Sequence, residues 1–159
     1  MDWLDNSQQA EFRNKVKDFL KSSVPSYYVN VTPDRIAEGH TGGWQYDLKV
    51  GNDDAKNAAQ EWVTSLAKHD WVAPHWPKEY GGGGLTPMEQ FILRSEFAWH
   101  GVPPVAGPGV NMLGPTIILH GTEKQKKELL PSILSGEITW AQGYSEPGAG
   151  SDLASLQTQ

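Results

Sequence analysis

Glycine and proline cut this chain into pieces no longer than a helix of a few turns, and two of the cuts carry explicit helix-start signals. Tyr80-Gly81-Gly82-Gly83-Gly84 is a sharp turn, and Thr86-Pro87-Met88-Glu89 follows it. Thr86 can accept the backbone N–H of Glu89 while the Glu89 side chain reaches back to the Thr86 amide, with Pro87 at the first helical position. That helix is predicted to carry Met88, Phe91, Ile92 and Trp99 to about His100. A helix from about Val110 to His120 stops at Gly121, and Thr122 with Gln125 forms a second capping box. It opens a helix with Leu129, Leu130, Ile133 and Leu134 on its apolar side, where Pro131 either kinks the helix or splits it.

Upstream, Phe12, Val16, Phe19 and Leu20 share one face of a helix over Ser7 to Ser22. Asp53 or Asp54 caps another, with Ala55, Ala59, Trp62, Val63 and Leu66 as its buried stripe. Between them, Pro25 to Asn52 is broken by Pro25, Pro33, Gly39, Gly42, Gly43 and Gly51, a long excursion with room for a short helix or a partner contact. After Ser135-Gly136-Glu137 the character changes. Ile138-Thr139-Trp140-Ala141-Gln142 reads as a strand and a Gly-rich loop follows it. The fold class is mainly α: an antiparallel helical domain over 1–136 and the beginning of a β domain over 137–159.

A formal charge of −6 disfavours nucleic acid as a partner, because that role calls for a basic face. There is no cysteine for a disulfide or a thiolate zinc site. His40, His69, His75, His100 and His120 never fall at a metal-ligand spacing, so no metal site is expected. No apolar run approaches the roughly 20 residues of a membrane span. The acidic start lacks the basic and apolar regions of a secretory signal, and a cytoplasmic location is the expectation.

The chemistry has to come from Gln142-Gly143-Tyr144-Ser145-Glu146-Pro147-Gly148-Ala149-Gly150-Ser151-Asp152-Leu153-Ala154-Ser155. Glycines and serines at a strand end can present several backbone N–H groups to an anion or a heterocycle. By composition the segment could equally be a plain inter-domain turn. A P-loop does not fit, since no Gly-Lys-Ser/Thr follows, and no amphipathic helix opens after the glycines as a dinucleotide fingerprint needs.

The order of the residues says more. Tyr144 to Asp152 resembles the flavin-binding signature of the acyl-CoA dehydrogenase family, [S/T]-E-P-x-x-G-[S/T]-D, at every fixed position. Three upstream segments resemble the same family in the same order. They are Trp76-Pro77-Lys78-Glu79-Tyr80-Gly81-Gly82, the helix around Leu93 to Phe97, and Gly121-Thr122-Glu123-Lys124-Gln125-Lys126 running on to Leu130-Pro131 and Ser135-Gly136-Glu137. The resemblance is good over Trp71 to Gln159 and loose over the first helix.

It implies an N-terminal helical domain, a middle β-barrel and a C-terminal four-helix domain that together enclose FAD and an acyl-CoA thioester. A carboxylate removes the α-proton and the β-hydrogen leaves as hydride to flavin N5, giving a trans-2-enoyl-CoA. Hydrogen-bond donors on the thioester oxygen stabilise the developing enolate. Electron-transfer flavoprotein would take the electrons, and the enzyme would be a homo- or hetero-oligomer. Ser145 falls where the family's hydroxyl meets flavin N5 and O4; a hydroxyl can donate to oxidised N5 and accept from reduced N5–H. Backbone groups of Gln142, Tyr144 and Ser145 would line the flavin edge. Gly150 and Ser151 would approach its phosphates, and Ser151 would also face the CoA. Glu146 and Asp152 are expected to hold turn amides, Asp152 by capping the turn it follows.

Trp62, Trp71, Trp76, Trp99 and Trp140 read as packing residues, Trp140 having the best claim among them to a cofactor contact. Phe91 and Leu93 to Trp99 could line an acyl pocket or simply pack, and Lys124, Lys126 and Lys127 read as a solvated face. The family's catalytic base is a glutamate of the C-terminal domain; Glu89, Glu96 and Glu146 lie in segments the family does not use as base. The expectation is therefore a fragment, inactive alone, of an FAD-dependent enzyme of lipid metabolism. Other readings are a non-catalytic helical interaction module, or one subunit of a two-chain dehydrogenase for large, steroid-like CoA thioesters. Gln142-Gly143-Tyr144, in place of small aliphatic residues ahead of Ser145, leaves the last one open.

Overall fold

The computed structural model describes residues 4–29, 43–105 and 107–158. His40 and the middle of the Pro25–Asn52 excursion lie outside them. The described helices are α1 (Ser7–Ser23), α2 (Trp44–Lys49), α3 (Asp53–Ala67), α4 (Pro87–Trp99), α5 (Gly114–His120) and α6 (Glu123–Ser135).

Capping sets their starts. Asn6 and Gln9 form a capping box at α1, each side chain accepting the other's backbone N–H at 2.9 Å. The boxes predicted at Thr86/Glu89 and Thr122/Gln125 are both formed. At α3 the cap is Asn52, not an aspartate: its side chain accepts the Ala55 N–H at 2.9 Å. Asp53 and Asp54 then occupy the first turn, where their charge suits the helix dipole. Pro131 neither splits nor ends α6, which runs unbroken past it to a left-handed Gly136 cap. Its ring lies on the exposed side of the helix. Ahead of α5, Gly109–Leu113 is a π-turn whose wider winding leads into Gly114 and Pro115. Proline lacks the N–H and crowds the carbonyl four residues back, so a local widening eases its entry.

Two apolar clusters hold these elements. The first joins Val16, Phe19, Trp62, Leu66, Leu93 and Phe97 from α1, α3 and α4, with Trp44 of α2 and Trp71 beyond α3. In the second, Trp76 packs among Ala73, Val110, Ile117, Leu130 and Ile133. Two glycines abut Trp76 at opposite ends: a Cβ on Gly82 would lie 2.3 Å from the Trp76 Cβ, and one on Gly114 would lie 1.8 Å from the indole Cζ2. Its N–H donates to the Val110 carbonyl at 2.9 Å, as Trp62 donates to Pro103 at 2.8 Å.

Three expectations need correcting. The buried face of α4 is Ile92, Leu93, Glu96 and Phe97, whereas Met88, Phe91 and Trp99 point outward, Trp99 at 87% exposure. A glutamate takes the inner face because Arg13 of α1 meets it: Nη1 donates to Glu96 Oε1 at 2.8 Å. The other side of that guanidinium grips Asp5 through Nε and Nη2. Second, Lys126 is no solvated cation. Its side chain is 15% exposed, and its ammonium sits 5.3 Å from the Tyr80 ring centre and 3.2 Å from Glu123 Oε1. Third, Ile138–Gln142 is not a strand. A strand exists only through ladder bonds to a neighbour, and no described segment offers it an extended edge.

Candidate functional site

Beyond Gly136 the chain leaves the helical core, and Trp140 is its last large anchor. The Trp140 indole leans on the second cluster against Gly109, with its N–H buried and without a hydrogen-bond partner among the described residues. Its role here is packing.

Gln142, Tyr144, Ser145, Gly150 and Ser151 follow on one exposed loop. The structure brings them into a single stretch held by a tight turn: Glu146 and Ala149 exchange backbone hydrogen bonds of 3.0 Å around Pro147-Gly148. Ala149 is the one buried residue of the segment. Among the described residues the Ser145 and Ser151 hydroxyls and the Gln142 amide have no partner. Between Glu137 and Gly150 only Glu146 and Ala149 donate a backbone N–H to another backbone group.

The glycines separate into two kinds. Gly82, Gly109 and Gly114 are small because tryptophans press on them, whereas a Cβ on Gly143, Gly148 or Gly150 would meet nothing within 4 Å. None of those three takes a left-handed conformation. Neither the chain's own packing nor its backbone angles account for glycine there. An open backbone with free donors fits a group that approaches the loop from outside, which is what a flavin and its phosphates would require.

The carboxylates of the loop and of α4 are already engaged. Glu146 accepts the amides of Gln157 at 2.9 Å and Thr158 at 2.7 Å, and also the Thr158 hydroxyl. The Thr158 hydroxyl, then the Gln157 and Thr158 amides, hold its pKa below the ordinary glutamate value. Asp152 accepts the Ser155 hydroxyl at the short helical turn Leu153–Ser155. Glu89 caps α4, and the Thr86 hydroxyl lowers its pKa. Glu96 is the partner of Arg13. All four acids have structural partners; Glu146 holds amides as expected, whereas Asp152 caps no turn and, among the described residues, accepts only the Ser155 hydroxyl.

Phe91 and Leu93 do not share a surface: Phe91 is exposed and Leu93 lies in the first cluster. Sequence reasoning missed the Arg13 bridge, because nothing local pairs Arg13 with a residue 83 positions away. It also gave no reason to single out His75, whose pKa burial lowers, with Arg94 adding to the effect. Among the described residues no cluster of His, Cys, Asp or Glu could hold a metal ion, and no helix is long and apolar enough to cross a membrane.

The comparisons with known proteins agree with one another. FadE26 of Mycobacterium tuberculosis, an acyl-CoA dehydrogenase, is 36% identical over 95% of this chain and 34% of its own length. FadE29 of the same organism, also an acyl-CoA dehydrogenase, is 51% identical over 87% of the chain and 33% of its own length. The chain thus spans about a third of the length of these relatives. Among solved structures, the ChsE4-ChsE5 complex from M. tuberculosis superposes with a TM-score of 0.66 at 34% identity, covering 99% of this chain and 35% of the matched one. A Tcur3481-Tcur3483 steroid ACAD superposes at 0.64 with 36% identity, covering 100% and 37%. The family model for the acyl-CoA dehydrogenase N-terminal domain matches residues 48–137, more than half of the chain. The chain belongs to the acyl-CoA dehydrogenase family and contains its N-terminal helical domain.

Proposed function

We propose that this chain is the helical portion, with one flavin-facing loop, of an FAD-dependent dehydrogenase that oxidises a large, steroid-like acyl-CoA to its trans-2-enoyl-CoA. The division falls near 136/137, and the parent works in the cytoplasm as one member of a two-chain assembly that passes electrons to an electron-transfer flavoprotein. The observation that carries the reading is the exposed loop 142–151. It presents unpartnered serine hydroxyls and sterically open glycines at the positions of the family's flavin signature. The likeness to a steroid ACAD and to a two-chain complex supports the substrate class and the assembly.

FAD, when bound, supplies the hydride-accepting chemistry. Ser145 offers a hydroxyl able to donate or accept at the flavin ring edge, which backbone groups of Gln142 and Tyr144 help to line. Gly150 lets the backbone approach the phosphates, and Ser151 donates there and toward the CoA. The residue that removes the α-proton lies outside this chain, since Glu89, Glu96 and Glu146 are all engaged in capping or bridging.

The test is anaerobic flavin bleaching in the full-length protein, purified with its partner chain. Steroid side-chain CoA thioesters should bleach the flavin faster than butyryl-CoA, and Ser145→Ala should slow bleaching about tenfold, the worth of one hydrogen bond at the reacting edge. Preference for butyryl-CoA would remove the substrate class. An unchanged rate in Ser145→Ala would remove Ser145 from the site.

A further inference from the structure

Glu146 places a negative charge inside the loop that, on the reading above, must receive an anionic cofactor. Uncompensated, that carboxylate would repel phosphate and weaken the site it sits in. The structure shows how it is compensated. Its two oxygens take three donors, the amides of Gln157 and Thr158 and the hydroxyl of Thr158, all from the returning end of the same loop. Its backbone meanwhile closes the Pro147-Gly148 turn by a reciprocal pair with Ala149. One residue therefore ties the loop at two places, once through its main chain and once through its side chain. Ser145 lies immediately before the tie, and Gly150 and Ser151 lie within the closed segment.

We propose that Glu146 is a positioning residue: its carboxylate clamps residues 157–158 and so fixes the loop that presents Ser145 and Ser151 to the flavin. This rests on the flavin-loop reading but makes a separate claim, that the presentation is set by a side chain that does not itself meet the cofactor. Asp152 does the same on a smaller scale by holding Ser155. An ionised carboxylate accepting amides forms stronger, shorter bonds than a neutral acceptor. The depressed pKa of Glu146 agrees with a group kept charged by its donors. A loop so fixed offers its donors without an ordering cost when the cofactor arrives, which is the physical meaning of preorganisation.

The test uses the full-length protein carrying Glu146→Gln or Glu146→Ala, beside wild type. In the cofactor-stripped protein, hydrogen exchange at the Gln157 and Thr158 amides should accelerate in both variants. FAD affinity should fall about tenfold, the flavin absorption band should shift, and the helical core should melt as in wild type. Glu146→Asp keeps the charge and should recover part of the affinity. The proposal is overturned if amides 157 and 158 stay protected without the carboxylate. It is equally overturned if they exchange freely while FAD affinity and spectrum are unchanged. A wild-type protein that binds no flavin but protects those amides would instead defeat the functional reading and leave the clamp standing.

Discussion

Replacing Gly114 by alanine sets two known effects against each other. Gly114 begins α5 with ordinary helical angles, so alanine gains about 1 kcal/mol of helix propensity. Its methyl, however, would lie 1.8 Å from Trp76 Cζ2 and 2.5 Å from Cη2. Carbon atoms in contact sit about 3.5–4.0 Å apart, so α5 or the indole must move by about 2 Å. The indole has little freedom: Trp76 is 1% exposed, Gly82 abuts its Cβ and carbonyl, and its ring N–H is bonded to Val110. Overpacking of this kind costs about 1–3 kcal/mol, and a displaced indole forfeits a hydrogen bond worth about 1 kcal/mol more. The balance is a net loss of roughly 1–3 kcal/mol, read as a fall of several degrees in the melting temperature of the helical signal. Trp76→Phe removes the atoms that collide. The double variant should therefore lose less than the two single losses combined, a coupling that a double-mutant cycle measures. Gly143→Ala, where the new methyl meets nothing, should leave the melting temperature unchanged. If Gly114→Ala melts at or above wild type, propensity has won and the contact with Trp76 is not the constraint described.

Two further outcomes follow from the charged groups. Arg13→Met strands the Glu96 carboxylate, 6% exposed, and should cost about 3 kcal/mol in denaturant unfolding. Adding Glu96→Leu should recover most of that, and no recovery would refute the explanation. His75 has a folded pKa below its ordinary 6.5 because burial, then Arg94, disfavours the charged ring. Its neutral form thus contributes stability that is complete above pH 6.5 and declines as pH falls toward the folded value, where the unfolded chain binds the extra proton. His75→Gln should flatten the melting temperature against pH just below 6.5, and an undiminished slope would exclude His75 as its source.

The chain's local chemistry determined a good deal. Capping boxes at Thr86 and Thr122, the stop at Gly121 and the stripe from Ala55 to Leu66 depend on neighbours a turn or two away, so spacing alone revealed them. The order of residues from Tyr144 to Asp152 was likewise readable from the sequence alone. Tertiary structure decided what spacing leaves ambiguous. Helix α4 is apolar on more than one side, and a salt bridge from Arg13, 83 residues before Glu96, selected which side faces inward and left Trp99 in solvent. Lys126 became a packed cation only because Tyr80 arrives beside it. Ile138–Gln142 carries strand-like residues but meets no edge to pair with among the described residues, and strand formation is a property of two segments, not one. The two kinds of glycine also look alike in the sequence. Only the position of Trp76 against Gly82 and Gly114, and the open space around Gly143, Gly148 and Gly150, separates glycines that serve the core from glycines left free to face a ligand.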